Sequence, residues 1–262
     1  MSDKKRVILL ASFGTSVLRA AEASYDKIAK DLEEATGLEV LQVFTDDDTA
    51  KAVNGIGGKH TYIVEDGVQT AIIKKYDEVI VVPVFFTEGA LYAQLEHRLN
   101  NCISIKVRMT EAVMYDEQTC QETAAVLEKM LNPAPDTEYI LVGQESAASS
   151  AKMYAALQQT LREKGHDNMC VLNLNDRDCF GQAVKFLKER HAKSRGANVE
   201  IVPLLIAWGD YMAAELYNSQ NSLMWQLREY GYRTVFTGKG LGEFKEFRAI
   251  YPKRVAELFG RS

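Results

Sequence analysis

Short runs of Val, Ile and Leu alternate along this chain with longer stretches whose apolar residues recur at helical spacing. The alternation predicts parallel strands joined by helices, because strands buried on both faces read as continuous apolar runs. In the first half, strands are predicted at Val7–Ser12, Glu39–Phe44, Glu78–Pro83 and Ser104–Met109. Helices are predicted there at Ala20–Ala35, Gly67–Lys75, Leu91–Leu99 and Glu117–Leu131. In the second half the strands are Tyr139–Val142, Met169–Leu174, Val199–Pro203 and Thr234–Thr237. The helices between and after them are Ala151–Lys164, Phe180–Ala192, Glu215–Tyr230 and Glu243–Phe259. Asp46 to Asp66 carries little periodicity and reads as a surface excursion.

The pattern is written twice. RVILLASFGTS (Arg6 to Ser16) opens the first half and EYILVGQESAASS (Glu138 to Ser150) opens the second. Further on, EVIVVPVFFTEGALY (Glu78 to Tyr92) is matched by VEIVPLLIAWGDYM (Val199 to Met212). Pro83 then pairs with Pro203, and Gly89 with Gly209, at the same interval. NPAPDTE (Asn132 to Glu138) carries two prolines and reads as the joint between halves. The expectation is an α/β chain of two similar lobes, residues 1–135 and 136–262, each a parallel sheet flanked by helices. The last helix is expected to pack back on the first lobe. Ligands of such sheets sit beyond the carboxyl ends of the strands, and a cleft between lobes is a usual binding place. The loops to watch are Phe13–Val17, Phe85–Ala90, Gln144–Ser150, Asn173–Arg177 and Trp208–Met212.

Charge and composition narrow the partners. The net charge is −5 with no run of Lys or Arg, which argues against a nucleic-acid backbone. The first apolar run is too short for a secretory leader, which needs roughly 7–15 such residues. No stretch approaches the ~18 apolar residues of a membrane span. Cys102, Cys120, Cys170 and Cys179 form no Cys-x-x-Cys and read as reduced, packed thiols of a cytoplasmic protein.

The motifs are best read by what each lacks. SFGTS (Ser12 to Ser16) follows a strand and opens a helix; Gly14 permits a tight turn, and Thr15 or Ser16 can cap. Its backbone N–H groups also suit an anionic ligand group, so capping and binding both stay open. GKGLGE (Gly238 to Glu243) is no dinucleotide fingerprint: its glycine spacing is wrong and no later strand can supply an acidic ribose partner. GQESA (Gly143 to Ala147) is not a nucleophile elbow. His60, His97, His166 and His191 fall in polar loops or helices and read as solvated, and no metal-ligand spacing is present. What remains at the strand ends is acidic, amide and aromatic. Glu88, Gln144, Glu145, Asn175, Asp176, Asp178, Asp210 and Tyr211 stand beside Phe13, Phe85, Phe86 and Trp208. An apolar, flat-walled cleft with a few carboxylates suits a large planar ligand, although the aromatic residues are equally suited to core packing.

These residues resemble a family. SFGTS, the segment MYAALQQTLREKGHDN (Met153 to Asn168), WGDYMAAEL (Trp208 to Leu216) and KGLGE with RAIY (Lys239 to Tyr251) together resemble the anaerobic sirohydrochlorin cobaltochelatases, of the class II tetrapyrrole chelatase fold. The resemblance implies two lobes with a tetrapyrrole in the cleft, Co2+ as a substrate metal in cobalamin biosynthesis, and a homo-oligomer. It also implies histidines and a glutamate at the strand ends that handle the metal and the pyrrole protons. Those positions hold Phe85, Gln144, Asn175 and Tyr211 here. Gln, Asn and Phe do not titrate near neutral pH, and an unshifted Tyr is a poor base.

Two readings keep a tetrapyrrole, and a third is a divergent protein of the same fold with an unrelated small ligand. In one, Glu145, Asp210 and Glu88 substitute as proton-handling groups while Ser12, Phe13, Gly14, Thr15, Phe85, Gln144, Asn175, Trp208 and Tyr211 bind the ligand. In the other, the chain binds a tetrapyrrole or its metal complex as a carrier and no longer inserts metal.

Overall fold

The computed structural model describes residues 4–56, 61–102, 104–144, 147–190 and 197–260. The first sheet contains β1 (Arg6–Ser12), β2 (Glu39–Phe44), β3 (Tyr62–Ile63), β4 (Glu78–Pro83) and β5 (Lys106–Met109) in the order β3-β2-β1-β4-β5. The second contains β6 (Thr137–Gly143), β7 (Met169–Asn173), β8 (Asn198–Pro203) and β9 (Arg233–Phe236) in the order β7-β6-β8-β9. Every pairing is parallel, with Ile8 beside Ile80 in one lobe and Ile140 beside Ile201 in the other. In each sheet the chain order reverses beside the opening strand, at β1/β4 and at β6/β8. That reversal leaves a crevice at the strands' carboxyl ends.

The helices are α1 (Leu18–Ala23), α2 (Tyr25–Thr36), α3 (Asp47–Ile56), α4 (Val64–Ile73), α5 (Ala90–Asn100) and α6 (Glu117–Leu131) in the first half. The second half has α7 (Ala148–Glu163), α8 (Cys179–Arg190), α9 (Asp210–Ala213), α10 (Leu223–Glu229), α11 (Lys245–Arg248) and α12 (Ile250–Gly260). None of the described helices is long and apolar enough to cross a membrane.

Side-chain alternation along β1 sorts the core. Ile8 and Leu10 enter a cluster shared by both lobes, where α2, α6, α7, α11 and α12 fill the space between the sheets. Val7, Leu9 and Ala11 point the other way, against α4 and α5. Ile140, Val142 and Ile201 do the same in the second sheet, against α8 and α10. The chain passes from α6 to β6 through Asn132, whose left-handed backbone ends α6. Residues of α12 bond the first lobe: Arg254 donates to the Val113 carbonyl at 3.1 Å, and Arg108 donates to the Leu258 carbonyl at 3.3 Å.

Local details depart from the sequence pattern where tertiary contacts intervene. The helix predicted at Ala20–Ala35 is two, α1 and α2, broken at the buried Ser24, whose hydroxyl bonds back to the Ala20 carbonyl. The excursion expected at Asp46–Asp66 contains α3 and the edge strand β3. Asp46 starts α3 by accepting from Thr49 N–H at 2.8 Å, and Ala50 and Val53 are buried on its inner side. The helix predicted at Glu215–Tyr230 is a π-helical turn (Ala214–Asn218) following α9, then α10, which Ser222 caps. The final helix is divided into a 3-10 turn (Leu241–Glu243), α11 and α12. His166 is not solvated: its ring is partly buried, with Nε2 at 3.5 Å from Glu128. His60 and His191 lie outside the described residues.

At the opposite end of the first sheet from the crevice, Glu78 is 1% exposed and meets Arg6 at 2.8 Å, Lys106 at 3.0 Å and Arg108 at 3.0 Å. Burial opposes its ionisation, but the three cations outweigh burial and hold its carboxyl down at about 2. A depressed folded value stabilises the fold above the ordinary carboxylate range and is lost as pH falls toward that folded value. Replacing Glu78 with Gln is expected to cost roughly 3 kcal/mol of unfolding free energy at neutral pH. Urea melts of both proteins should converge as pH drops from about 4.5 to about 2.

Candidate functional site

Two loops from each lobe meet at the crevice. From the first lobe come the loop after β1 and the loop after β4; from the second come those after β6 and β8. They enclose a cleft of about 220 Å3, or about 860 Å3 when the open solvent around it is included. The enclosed volume is below the roughly 300–1,000 Å3 of small-molecule sites, and only the open mouth brings it into that range.

The β1 loop turns at Gly14, where φ is +105° and an added Cβ would meet the Phe44 ring at 2.6 Å. Glycine is therefore required twice over, by backbone conformation and by space. Phe13 stands at the mouth, 45% exposed. Thr15 is buried and donates to the Trp208 carbonyl at 3.2 Å, tying the first lobe's loop to the second's. The β4 loop is held by Val84 N–H to the Ala11 carbonyl, Val113 N–H to the Phe85 carbonyl and Met114 N–H to the Phe86 carbonyl. Thr87 and Ser150 share a buried hydroxyl–hydroxyl bond of 2.7 Å, a second tie between lobes.

The rear wall after β8 is Leu204, Leu205 and Ile206. The glycine-rich loop sits directly behind it: Leu241 N–H donates to the Leu205 carbonyl at 2.8 Å, and Gly242 N–H to the Ile206 carbonyl at 2.9 Å. A Cβ on Gly240 would lie 2.5 Å from the Ile206 carbonyl oxygen. These glycines serve close backbone approach rather than phosphate binding.

The candidate residues are placed as follows. Phe13, Gly14, Phe85 and Gln144 line the cleft together. Ser12 ends β1 beneath it, while Thr15 and Trp208 close its edge. The Trp208 ring packs edge-on to Tyr217, 6.4 Å between centroids, and its buried indole N–H has no hydrogen-bond partner among the described residues. Asp210 and Tyr211 open α9. Glu145 lies outside the described residues. Asn175 is exposed on the loop after β7 and is not part of the cleft lining. Glu88 lines a neighbouring pocket instead, with Met114, Tyr115, Ser149 and Lys152. Burial pushes the Glu88 carboxyl up; the Ala112 N–H opposes this, and Glu111, Glu96 and Asp116 add to it.

Two polar lining residues, Tyr25 and Tyr154, are absent from the candidates. Both lie on helices rather than on strand-end loops, where the sequence directed attention. Burial lifts the Tyr25 phenol to about 12, although Ser12 and the Gly14 backbone pull the other way. No group of three or more His, Cys, Asp or Glu among the described residues could hold a metal ion. Burial also pushes the Cys120, Cys170 and Cys179 thiols up, to about 11, 12 and 11, and all four cysteines are free.

The architecture is that of chelatases. SirB from Bacillus subtilis with Fe3+ superposes with a TM-score of 0.66 at 14% identity, covering 97% of this chain and 95% of that one. The sirohydrochlorin chelatase SirB from Bacillus subtilis subspecies spizizenii in complex with cobalt gives 0.63 at 13%, covering 97% and 94%. DR2241 from Deinococcus radiodurans, a multi-domain protein with structural similarity to chelatases, gives 0.53 at 17%, covering 97% of this chain and 55% of its own. No curated protein matches the chain by sequence. The profile of the cobalt chelatase family CbiK matches residues 6–259, and the chain belongs to that family.

Because the clash at Gly240 is with backbone, no side chain can swing aside to relieve it. Gly240→Ala is expected to cost about 1–3 kcal/mol, read as a lowered midpoint in chemical denaturation. Gly37→Ala, where an added Cβ meets nothing, separates backbone strain from overpacking.

Proposed function

We propose that the cleft binds a sirohydrochlorin-like tetrapyrrole and that the protein inserts Co2+ into it. The observation that carries this reading is the family match over residues 6–259, joined to an apolar cleft at the carboxyl ends of both sheets. Phe13, Phe85 and Trp208 offer flat apolar surface to the ring. Ser12, Gly14 and Thr15 supply the turn at its edge, with Gln144 as a polar contact in the lining.

Metal insertion releases two pyrrole protons, and the entering ion must shed water while being held loosely. The described cleft lining contains no carboxylate and no imidazole. The protons therefore pass to acids that flank it in sequence, Glu145 beside Gln144 and Asp210 beside Gly209. The free cysteines suit the reducing setting of the cytoplasm.

The test is to mix the protein with sirohydrochlorin and Co2+ and to follow the absorbance of the macrocycle. Insertion should exceed the uncatalysed rate, and Glu145→Gln or Asp210→Asn should lower it by roughly 10²–10⁴-fold. Tight binding with no insertion above background would reduce the protein to a carrier, and absence of binding would overturn the tetrapyrrole reading altogether.

A further inference from the structure

The duplication extends behind the walls of the cleft. Phe85 and Phe86 after β4, and Leu205 and Ile206 after β8, give one wall loop from each lobe. Each loop is bonded by two successive N–H groups from the segment that follows the neighbouring edge strand. Val113 and Met114, beyond β5, donate to the Phe85 and Phe86 carbonyls at 3.1 and 2.9 Å. Leu241 and Gly242, beyond β9, donate to the Leu205 and Ile206 carbonyls at 2.8 and 2.9 Å. Two equivalent backbone strips therefore carry the wall loops, and neither strip lines the cleft itself.

Each strip is held in turn by a buried arginine of the C-terminal segment. Arg248 of α11 is 9% exposed and donates to the Gly242 and Glu243 carbonyls at 3.3 and 3.0 Å. Its Nε meets Asp31 of α2 at 2.6 Å. Arg254 of α12 is 2% exposed and donates to the Val113 carbonyl at 3.1 Å. Glu257 at 3.1 Å and Glu122 of α6 at 3.5 Å hold its guanidinium, which lies 5.3 Å from the centre of the Tyr115 ring. A guanidinium is a planar fork of five donors, so one side chain bonds carbonyls and a carboxylate together. A lysine ammonium is a single point on a flexible stem. One segment, α11 and α12, thus fixes both walls to a common frame.

We propose that Arg248 and Arg254 are positioning residues for the tetrapyrrole: they fix the separation of the two wall loops that grip it. Neither lines the cleft, so both act through the strips. The sheets place the strand ends, and the arginines place the loops beyond those ends. Misplacing a binding group by about an ångström can cost as much as ~10²-fold, so a small slackening of either strip is enough to be felt by the ligand. The role rests on the tetrapyrrole reading of the cleft.

The experiment compares Arg248→Lys and Arg254→Lys with the unaltered protein. Glu78→Gln is the control, because it destabilises the fold from the far end of the first sheet. The readouts are sirohydrochlorin binding, KM against kcat for Co2+ insertion, and hydrogen exchange of the Val113, Met114, Leu241 and Gly242 amides. Each lysine variant should weaken binding and raise KM by roughly 10-fold, with kcat little moved and exchange faster at its own strip. A fold that is only less stable loses active molecules, so Glu78→Gln lowers apparent kcat and leaves binding and KM unchanged. Binding decides even where no metal is inserted. If a lysine variant does not fold, Asp31→Asn or Glu257→Gln takes its place. Each keeps the arginine, removes one charge that holds it, and should weaken binding by roughly 2–5-fold. Unchanged binding and KM in these variants, or an equal loss in Glu78→Gln, would overturn the positioning role while leaving the tetrapyrrole reading intact. Failure of the unaltered protein to bind sirohydrochlorin would overturn both.

Discussion

The cleft depends on one packing arrangement: a layer of helices held between two parallel sheets. β1, β4, β6 and β8 each bury both faces, so neither sheet has a face to give to solvent. The shared layer satisfies the inner face of both at once. Phe86 from the β4 loop stacks near Phe247 of α11 at 6.3 Å and Tyr154 of α7 at 6.0 Å, drawing contributions from both lobes into one contact. That contact lies immediately behind the site. The loops stand where they do because this layer fixes the distance between the sheets.

Much of this was legible in the sequence because burial on two faces leaves a plain mark. The strand runs were found to within a residue or two, and the duplication located the loops that surround the cleft. The errors fell where neighbours overrule local preference. Ser24 breaks a helix that its sequence would continue, since its hydroxyl takes the Ala20 carbonyl. α3 was missed because its apolar positions, Ala50 and Val53 among them, are few and show little period. β3 is too short to show a period.

The site was legible by position more than by chemistry. Phe13, Gly14, Phe85 and Gln144 come together because strand-end loops converge at a switch in strand order. Glu88 follows the same strand as Phe85 but faces another pocket, since successive residues in an extended loop turn to different sides. Tyr25 and Tyr154 lie on helices, and the rule that ligands meet strand ends says nothing about the helices just behind. The glycine-rich loop, which resembles a nucleotide motif in print, is explained by the carbonyl it must approach.

The bond from Arg248 to Asp31 joins α11 to α2 across 217 residues of chain. Helices from the far end of the sequence thus complete the packing of the lobe that comes first. A duplicated protein might have been two halves that fold independently and then dock. Here the first half cannot close its inner face until the chain has passed through the whole of the second. Closing such long loops delays the contacts that reward it, so the fold is of the slow, high-contact-order kind. Cutting the molecule at its internal repeat would yield pieces with an open flank, not two small proteins.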